Sequence, residues 1–405
     1  MKKILLYCTL LLSSICFSVV SAADTNLQST VKSSVDEYLK TRFCNCAYLF
    51  AEGESKFHKG AQGFFSMSAE KLLIPDQKMP IASATKTMTA AIILRLQHKG
   101  KLHVRDSIAL HLNKKSGVWN NNKPPKWAHQ ITIHQLLTHT SGLPEYFMAT
   151  EPDISKKITD IEKDIARFIA KQNLLFRPGA KHYYCNTNFT MLGLIIESIT
   201  KKNLSEVFND EIFKPLGMND TKLVPLEEAI QSQVDMSNCS HPERYFVTPT
   251  GFSPYITPAQ SDFLMIPFSD GGVMSSTEDL LKWQQALHGG KVLPKYLYQL
   301  MTKKHRQIEG RLVGQKHYVG YGIFIVEMDN GDLIYHHSGN AMAIRSESGY
   351  IPAKNLFFIV LSNTMEYIPD KLSGVFDLDK PCNQLDIKYF MKYIIEAIYH
   401  KKAKS

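Results

Sequence analysis

Apolar positions along the chain follow two rhythms, and the change from one to the other divides it. Leu27, Val31, Val35, Tyr38 and Leu39 recur at the spacing of a helix face, which predicts an amphipathic helix early in the chain. Residues 46–50 and 63–67 then read as strands separated by a polar turn region. From Met88 through Ala90, Ala91, Ile92, Ile93 and Leu94 to Leu96 the apolar residues cover nearly the whole circumference, so this helix is predicted to lie buried between layers. It stops at His98-Lys99-Gly100, with basic side chains in the last turn and a glycine just beyond it.

Residues 100–223 keep a mostly helical pattern, broken at Pro124-Pro125, at Ser141-Gly142-Leu143-Pro144 and at Arg177-Pro178-Gly179, with a core helix predicted over 190–200. Residues 224–268 show no period and read as a long loop or a cover over a cleft. Residues 279–287 are helical again. Past Gly289-Gly290 the strand rhythm returns at 321–328, 333–336, 344–351 and 356–361, with Asn330-Gly331 as a hairpin signal. Ile387, Phe390, Met391, Ile394, Ile395 and Ile398 close the chain as an amphipathic helix. The fold class predicted is α/β (α+β): a sheet lobe built from both ends, about 24–80 and 290–405, with a helical lobe, about 81–289, inserted between them.

The first 22 residues stand apart. A cationic Met1-Lys2-Lys3, an apolar run over 4–20 and small residues at Ser21-Ala22 read as a cleaved signal peptide, with an uncleaved anchor as the alternative, so a periplasmic or secreted protein is expected. The remaining residues, 23–405, are then expected to form one domain with no membrane span. Composition agrees with a globular chain: 405 residues, 44% hydrophobic and 21% charged. Losing Lys2 and Lys3 lowers the net charge of +9 by two, and the remaining lysines are scattered in pairs without interleaved aromatics. That argues against nucleic acid as a partner. Cys44, Cys46, Cys185, Cys239 and Cys382 remain after the leader, an odd number that leaves at least one free thiol, and the pairing of the others stays open. No His cluster has metal-ligand spacing, so neither metal nor cofactor is expected.

Candidate chemistry begins at Ser83 and Lys86. Three positions apart at the start of the buried helix, they share a face, and an amine held out of water can take a serine's proton. Such a pair recurs by chance in a chain with 47 Lys+Arg, so it needs company. Tyr184 and Asn186, in the turn before the 190–200 helix, offer a proton-handling phenol and an amide. His337 and Gly339, at a strand start after the hairpin, offer an imidazole, neutral or cationic near neutral pH, and a backbone that lets a substrate approach. The N–H of Asn340 can pair with that of Ser83 as an oxyanion hole.

The order Ser83-x-x-Lys86, Tyr184-x-Asn186, His337-x-Gly339 resembles the serine β-lactamase-related, penicillin-recognising superfamily. That superfamily includes class C β-lactamases, DD-carboxypeptidases, D-aminopeptidases and esterase relatives. Leu136-Leu137-Thr138-His139-Thr140-Ser141-Gly142-Leu143, the stretch 213–218 and Gly271-Gly272-Val273-Met274-Ser275-Ser276 also look like the family. The resemblance implies a β-lactamase/transpeptidase-like fold, an antiparallel sheet flanked by helices. It implies Ser83 as acylated nucleophile, Lys86 and Tyr184 as the proton-handling pair, and Asn186, His337, Gly339 and Asn340 as substrate contacts. The reaction implied is hydrolysis of a small-molecule or peptide amide or ester, carboxypeptidase-like or esterase-like. A β-lactamase proper and a non-turnover penicillin-binding or envelope-sensing protein are the alternatives.

His337 stands where lactamases carry lysine, which favours peptidase or esterase relatives. Ala343 replaces a second glycine, and Cys185 occupies a position often held by serine, either redox-sensitive or simply buried. Arg345 reads as a surface salt-bridge residue, with a substrate carboxylate as the alternative partner.

Overall fold

The structure is a computed structural model that describes residues 24–41, 46–66, 71–146, 161–224, 246–248, 251–253, 268–309, 315–341, 344–363 and 387–399. The expected signal peptide over 1–22 and Ala343 lie outside the described residues, as does most of the expected loop over 224–268, of which 246–248 and 251–253 pair as a short antiparallel ladder.

Eight strands form one antiparallel sheet: β1 (Cys46–Glu52), β2 (Ser55–Gln62), β3 (Arg306–Ile308), β4 (Lys316–Val319), β5 (Phe324–Glu327), β6 (Leu333–Ala341), β7 (Ile344–Ile351) and β8 (Leu356–Ser362). Their order in space is β3-β4-β5-β6-β7-β8-β1-β2. β1 pairs with β8 from Cys46↔Ser362 to Glu52↔Leu356, so strands from the two ends of the chain complete one sheet. Every residue of β8, Leu-Phe-Phe-Ile-Val-Leu-Ser, is buried, as a strand must be when both faces are covered. β2 is an edge, and its Lys56 and Lys59 reach Glu278 rather than the core. The polar stretch expected as a turn region is therefore this edge strand, and residues 64–66 form only a short pair with 71–72.

Helices cover both faces. On one face α1 (Asp24–Thr41) packs beside the C-terminal helix, where Val31, Val35 and Tyr38 meet Phe390 and Ile394, with the Tyr38 and Phe390 rings edge-on at 5.1 Å. On the other face lie α2 (Thr85–His98), α3 (Asn186–Thr200) and α4 (Thr277–His288), and last in sequence comes α5 (Ile387–Tyr399), the partner of α1. α2 is buried on nearly all sides, from Thr85 through Leu94, because it runs between the sheet and the helical middle. α3 approaches the 268–270 turn closely: a Cβ on Gly193 would sit 2.2 Å from Ser269 Oγ, so only glycine fits there. Among the described residues no helix is long and apolar enough to cross a membrane.

Cysteine usage resolves in part. Cys46 is disulfide-bonded to a partner outside the described residues, and Cys185 is a buried free thiol.

Candidate active site

A one-turn 3-10 helix over Ala82–Ala84 hands the chain into α2 and carries Ser83 at its centre. Ala82 has φ +46, a left-handed conformation that costs a non-glycine residue on the order of 1 kcal/mol and persists only where its surroundings impose it. They do so here: the Ile81 N–H donates to Val273 O (2.9 Å), and the Ile81 carbonyl accepts from Ser346 Oγ (2.6 Å). Ser83 is half-buried, while Lys86 is wholly buried. The Lys86 amine donates to Ser83 Oγ (2.8 Å), Asn186 Oδ1 (2.7 Å) and the carbonyl of Asp270 (2.6 Å). Three donors meet three acceptors, which fixes the amine in one place.

Asn186 is the first residue of α3, not part of a preceding turn. Its N–H donates to Glu145 Oε2 (2.7 Å), which satisfies one of the free amides of the helix start and turns Oδ1 toward Lys86. Tyr184 meets Lys86 through its ring, with Nζ 5.2 Å from the centroid. Beneath that ring lies His139, stacked at 4.4 Å, its own backbone held at φ +54. His139 Nδ1 accepts from the Cys185 N–H (3.2 Å), so the neutral ring carries its proton on Nε2. Burial, then the Lys86 charge, holds the imidazole well below its usual range. In the sequence His139 stands out as part of a family-like stretch. A clue was present in the unbroken polar run Thr138-His139-Thr140-Ser141, all four of which are buried.

His337 and Gly339 sit in the middle of β6, not at a strand start. β5 pairs with β6 only from Leu333 to His336, whereas β7 pairs with it from Tyr335 to Ala341. Among the described residues, then, His337–Ala341 leave one backbone edge without a strand partner. A Cβ on Gly339 would lie 2.0 Å from the Ile81 carbonyl oxygen and 2.3 Å from Ser346 Oγ, so the strand and the Ser83 turn touch backbone to backbone. Gly339→Ala is accordingly expected to lower stability by about 1–3 kcal/mol, since a carbonyl pinned by Ser346 cannot yield; thermal melting of the variant checks it.

His337 is buried, and its Nδ1–H donates to Ser338 O (2.7 Å). Burial, followed by the Lys86 charge, pushes its pKa down to about 3. The two protonation states left open by sequence narrow to one: a neutral ring whose Nε2 is an acceptor. Phe324, which nothing in the sequence marked, packs between the two motifs, with ring centroids 4.9 Å from His337 and 6.1 Å from Tyr184. Asn340 is exposed and its side chain accepts from Arg345, which is itself buried. Arg345 is therefore a buried residue and not the surface one expected. The Cys185 thiol donates to Pro144 O (3.4 Å) and burial pushes its pKa up to about 12, so it is a buried, unreactive group rather than a redox sensor. Among the described residues no group of three His, Cys, Asp or Glu could hold a metal ion.

The structure thus brings Ser83, Lys86 and Asn186 into direct hydrogen bonding, places Tyr184 over the amine, and sets His337 and Gly339 against the same turn, with Asn340 one residue further along the open edge.

Known proteins share this architecture. Protein flp of Staphylococcus aureus (strain N315) is 25% identical over 353 residues, 85% of this chain and 66% of its own length. Penicillin-binding protein 4* of Bacillus subtilis (strain 168) is 26% identical over 307 residues, 73% of this chain and 62% of its own. The chain thus spans less than two thirds of either relative. Among solved structures, a D-amino acid amidase from Ochrobactrum anthropi SV3 aligns with TM-score 0.69 at 19% identity, covering 93% of this chain and all of that one. A penicillin-binding protein from Bacillus halodurans aligns with TM-score 0.63 at 24% identity, covering 86% and 98%. Those alignments give the fold as that of β-lactamases and transpeptidases, a large antiparallel sheet flanked by helices. The match of residues 39–374 to the Beta-lactamase family makes this chain a member of that family of serine hydrolases.

Proposed function

We propose that the protein hydrolyses an uncharged ester or amide through an acyl-enzyme on Ser83. The observation that carries this reading is the buried Lys86 amine, held 2.8 Å from Ser83 Oγ by Asn186 and the Asp270 carbonyl. In the first half-reaction Lys86 acts as the free amine with its lone pair turned to Ser83: the Ser83 oxygen attacks the substrate carbonyl, its proton passes to Lys86, the Tyr184 hydroxyl hands a proton to the departing alcohol or amine, and Lys86 returns one to Tyr184. The N–H groups of Ser83 and Asn340 take the developing oxyanion, and the open edge of β6 from His337 to Ala341 lies alongside the acyl group. Water then repeats the sequence on the acyl-enzyme.

Substrate class follows from His337. A neutral imidazole presenting Nε2 accepts a hydrogen bond from an amide or hydroxyl, and it cannot balance a free carboxylate as a lysine would. Neutral substrates such as nitrophenyl esters and N-acetylated amino-acid amides are therefore favoured over D-alanyl-D-alanine peptides and cephalosporins, which carry carboxylates. The leader read in residues 1–22 puts this reaction outside the cytoplasm. A steady-state panel of these four substrate types tests the reading. It predicts kcat/KM at least about tenfold higher for the neutral pair, the value of one unmet charge interaction of ~1.4 kcal/mol. Multiple turnover of cephalosporins or D-alanyl-D-alanine peptides at equal or higher efficiency would sink it, and no turnover of any of the four would make the protein a binder instead.

A further inference from the structure

Behind Lys86 lies a carboxyl group that none of the steps above uses. Asp270 is 4% exposed and sits in a turn with little freedom. The amides of Gly271 and Gly272 donate to Phe268 O (3.1 and 2.7 Å), Thr89 Oγ1 donates to Ser269 O (2.6 Å), and Ser269 Oγ donates to Phe189 O (2.7 Å). The Asp270 carbonyl therefore has a fixed position from which to accept from Lys86. Its side chain is held separately: Oδ2 accepts from the buried Tyr146 hydroxyl (2.9 Å), while Oδ1, also buried, has no hydrogen-bond partner among the described residues. Tyr146 is itself anchored, its N–H donating to Thr187 Oγ1 (3.1 Å) near the start of α3.

A buried ammonium is expensive unless an opposite charge lies close by. Several ionisable groups around Lys86 do not supply one. His139 and His337 feel its charge but are kept neutral by burial, Tyr184 faces it with a ring, and the Cys185 thiol is pushed up to about 12. Asp270 does respond. Burial is the largest influence and leaves its carboxyl above the usual range, while the Lys86 charge and the Tyr146 hydrogen bond each pull it part of the way back. Tyr146 is held well above its usual range by burial and by the Asp270 charge, so it stays a donor.

We propose that Asp270 is a positioning residue: its carboxylate is the counter-charge that holds Lys86 between Ser83 and Asn186, and Tyr146 fixes that carboxylate in place. The proposal rests on the reading that Ser83 and Lys86 carry acyl transfer. No new bond is made by Asp270. It acts by setting how readily the Lys86 amine exchanges a proton with Ser83.

Asp270→Asn keeps the shape and an acceptor for Tyr146 while removing the charge. Wild type is first treated with a fluorophosphonate; no labelling would defeat the acyl-transfer reading and this proposal with it. With labelling established, kcat/KM for p-nitrophenyl acetate is measured across pH 5–9. The acidic limb of the Asp270→Asn profile is expected about one pH unit below that of wild type, the scale of one lost charge partner, with KM little changed. Tyr146→Phe, which weakens the carboxylate without deleting it, is expected to shift the limb in the same direction by less. It also carries the test should Asp270→Asn not fold. An unmoved limb in both variants, including a rate loss without a shift, would overturn the proposal and leave Asp270 a purely structural residue.

Discussion

Lys86→Met is expected to slow turnover by 10²–10⁴-fold, the range for removing a positioned general base. The methionine fills the same buried space without an amine, so the line from Ser83 Oγ to a proton acceptor is lost while α2 keeps its packing. Lys86→Arg is expected to be almost as slow despite keeping the charge. A guanidinium does not give up its proton in this pH range, and its planar fork does not match three acceptors converging on one point, Ser83 Oγ, Asn186 Oδ1 and Asp270 O. Initial rates on a nitrophenyl ester, with circular dichroism to confirm folding, separate the outcomes. An arginine variant with wild-type rates would mean that Lys86 serves only as a positive charge.

Acid is expected to destabilise the fold well before its carboxylates titrate. His337 and His288 are buried with pKa values pushed down to about 3, while in the unfolded chain each returns to 6.5. Between those values the unfolded chain binds protons that the folded chain refuses, so stability rises with pH across the window and is lost as pH falls below about 6.5. Each group contributes up to about 1.4 kcal/mol per pH unit, so the two together remove about 4 kcal/mol at most between pH 7 and pH 5. His305, pushed down to about 4, and His139 act in the same direction. Asp270, raised by burial, opposes them only as its own carboxyl takes up a proton. Calorimetric melting at pH 7 and pH 5 reads the effect directly, and a melting temperature that is equal or higher at pH 5 would contradict it.

How much of this was legible in the sequence depended on whether a residue's environment is set by its neighbours in the chain. β7, β8 and β1 were visible because their residues form short strand-like runs bounded by turn signals. β2, β3 and β4 were not. They lie at the two edges of the sheet, where Lys56 and Lys59 reach carboxylates, Arg306 donates to the carbonyls of Gly179 and Ala180, Lys316 is exposed, and no apolar rhythm is needed. The serine and lysine were legible for a local reason, being one helical turn apart. By contrast Asp270 is 184 residues from the lysine it touches, and the Tyr146 that holds its carboxyl is 124 residues from it. Phe324 and His139 reach the site in the same way, through folding rather than spacing. The state of His337 was likewise outside the reach of sequence, because its neutrality comes from complete burial beside Lys86.

The central claim is that Ser83 is the residue acylated. Intact-protein mass spectrometry after fluorophosphonate treatment, followed by peptide mapping, tests it most directly. The account predicts one adduct per chain, located on Ser83 and absent from Ser83→Ala. An adduct on another residue, or equal labelling of Ser83→Ala, would contradict it.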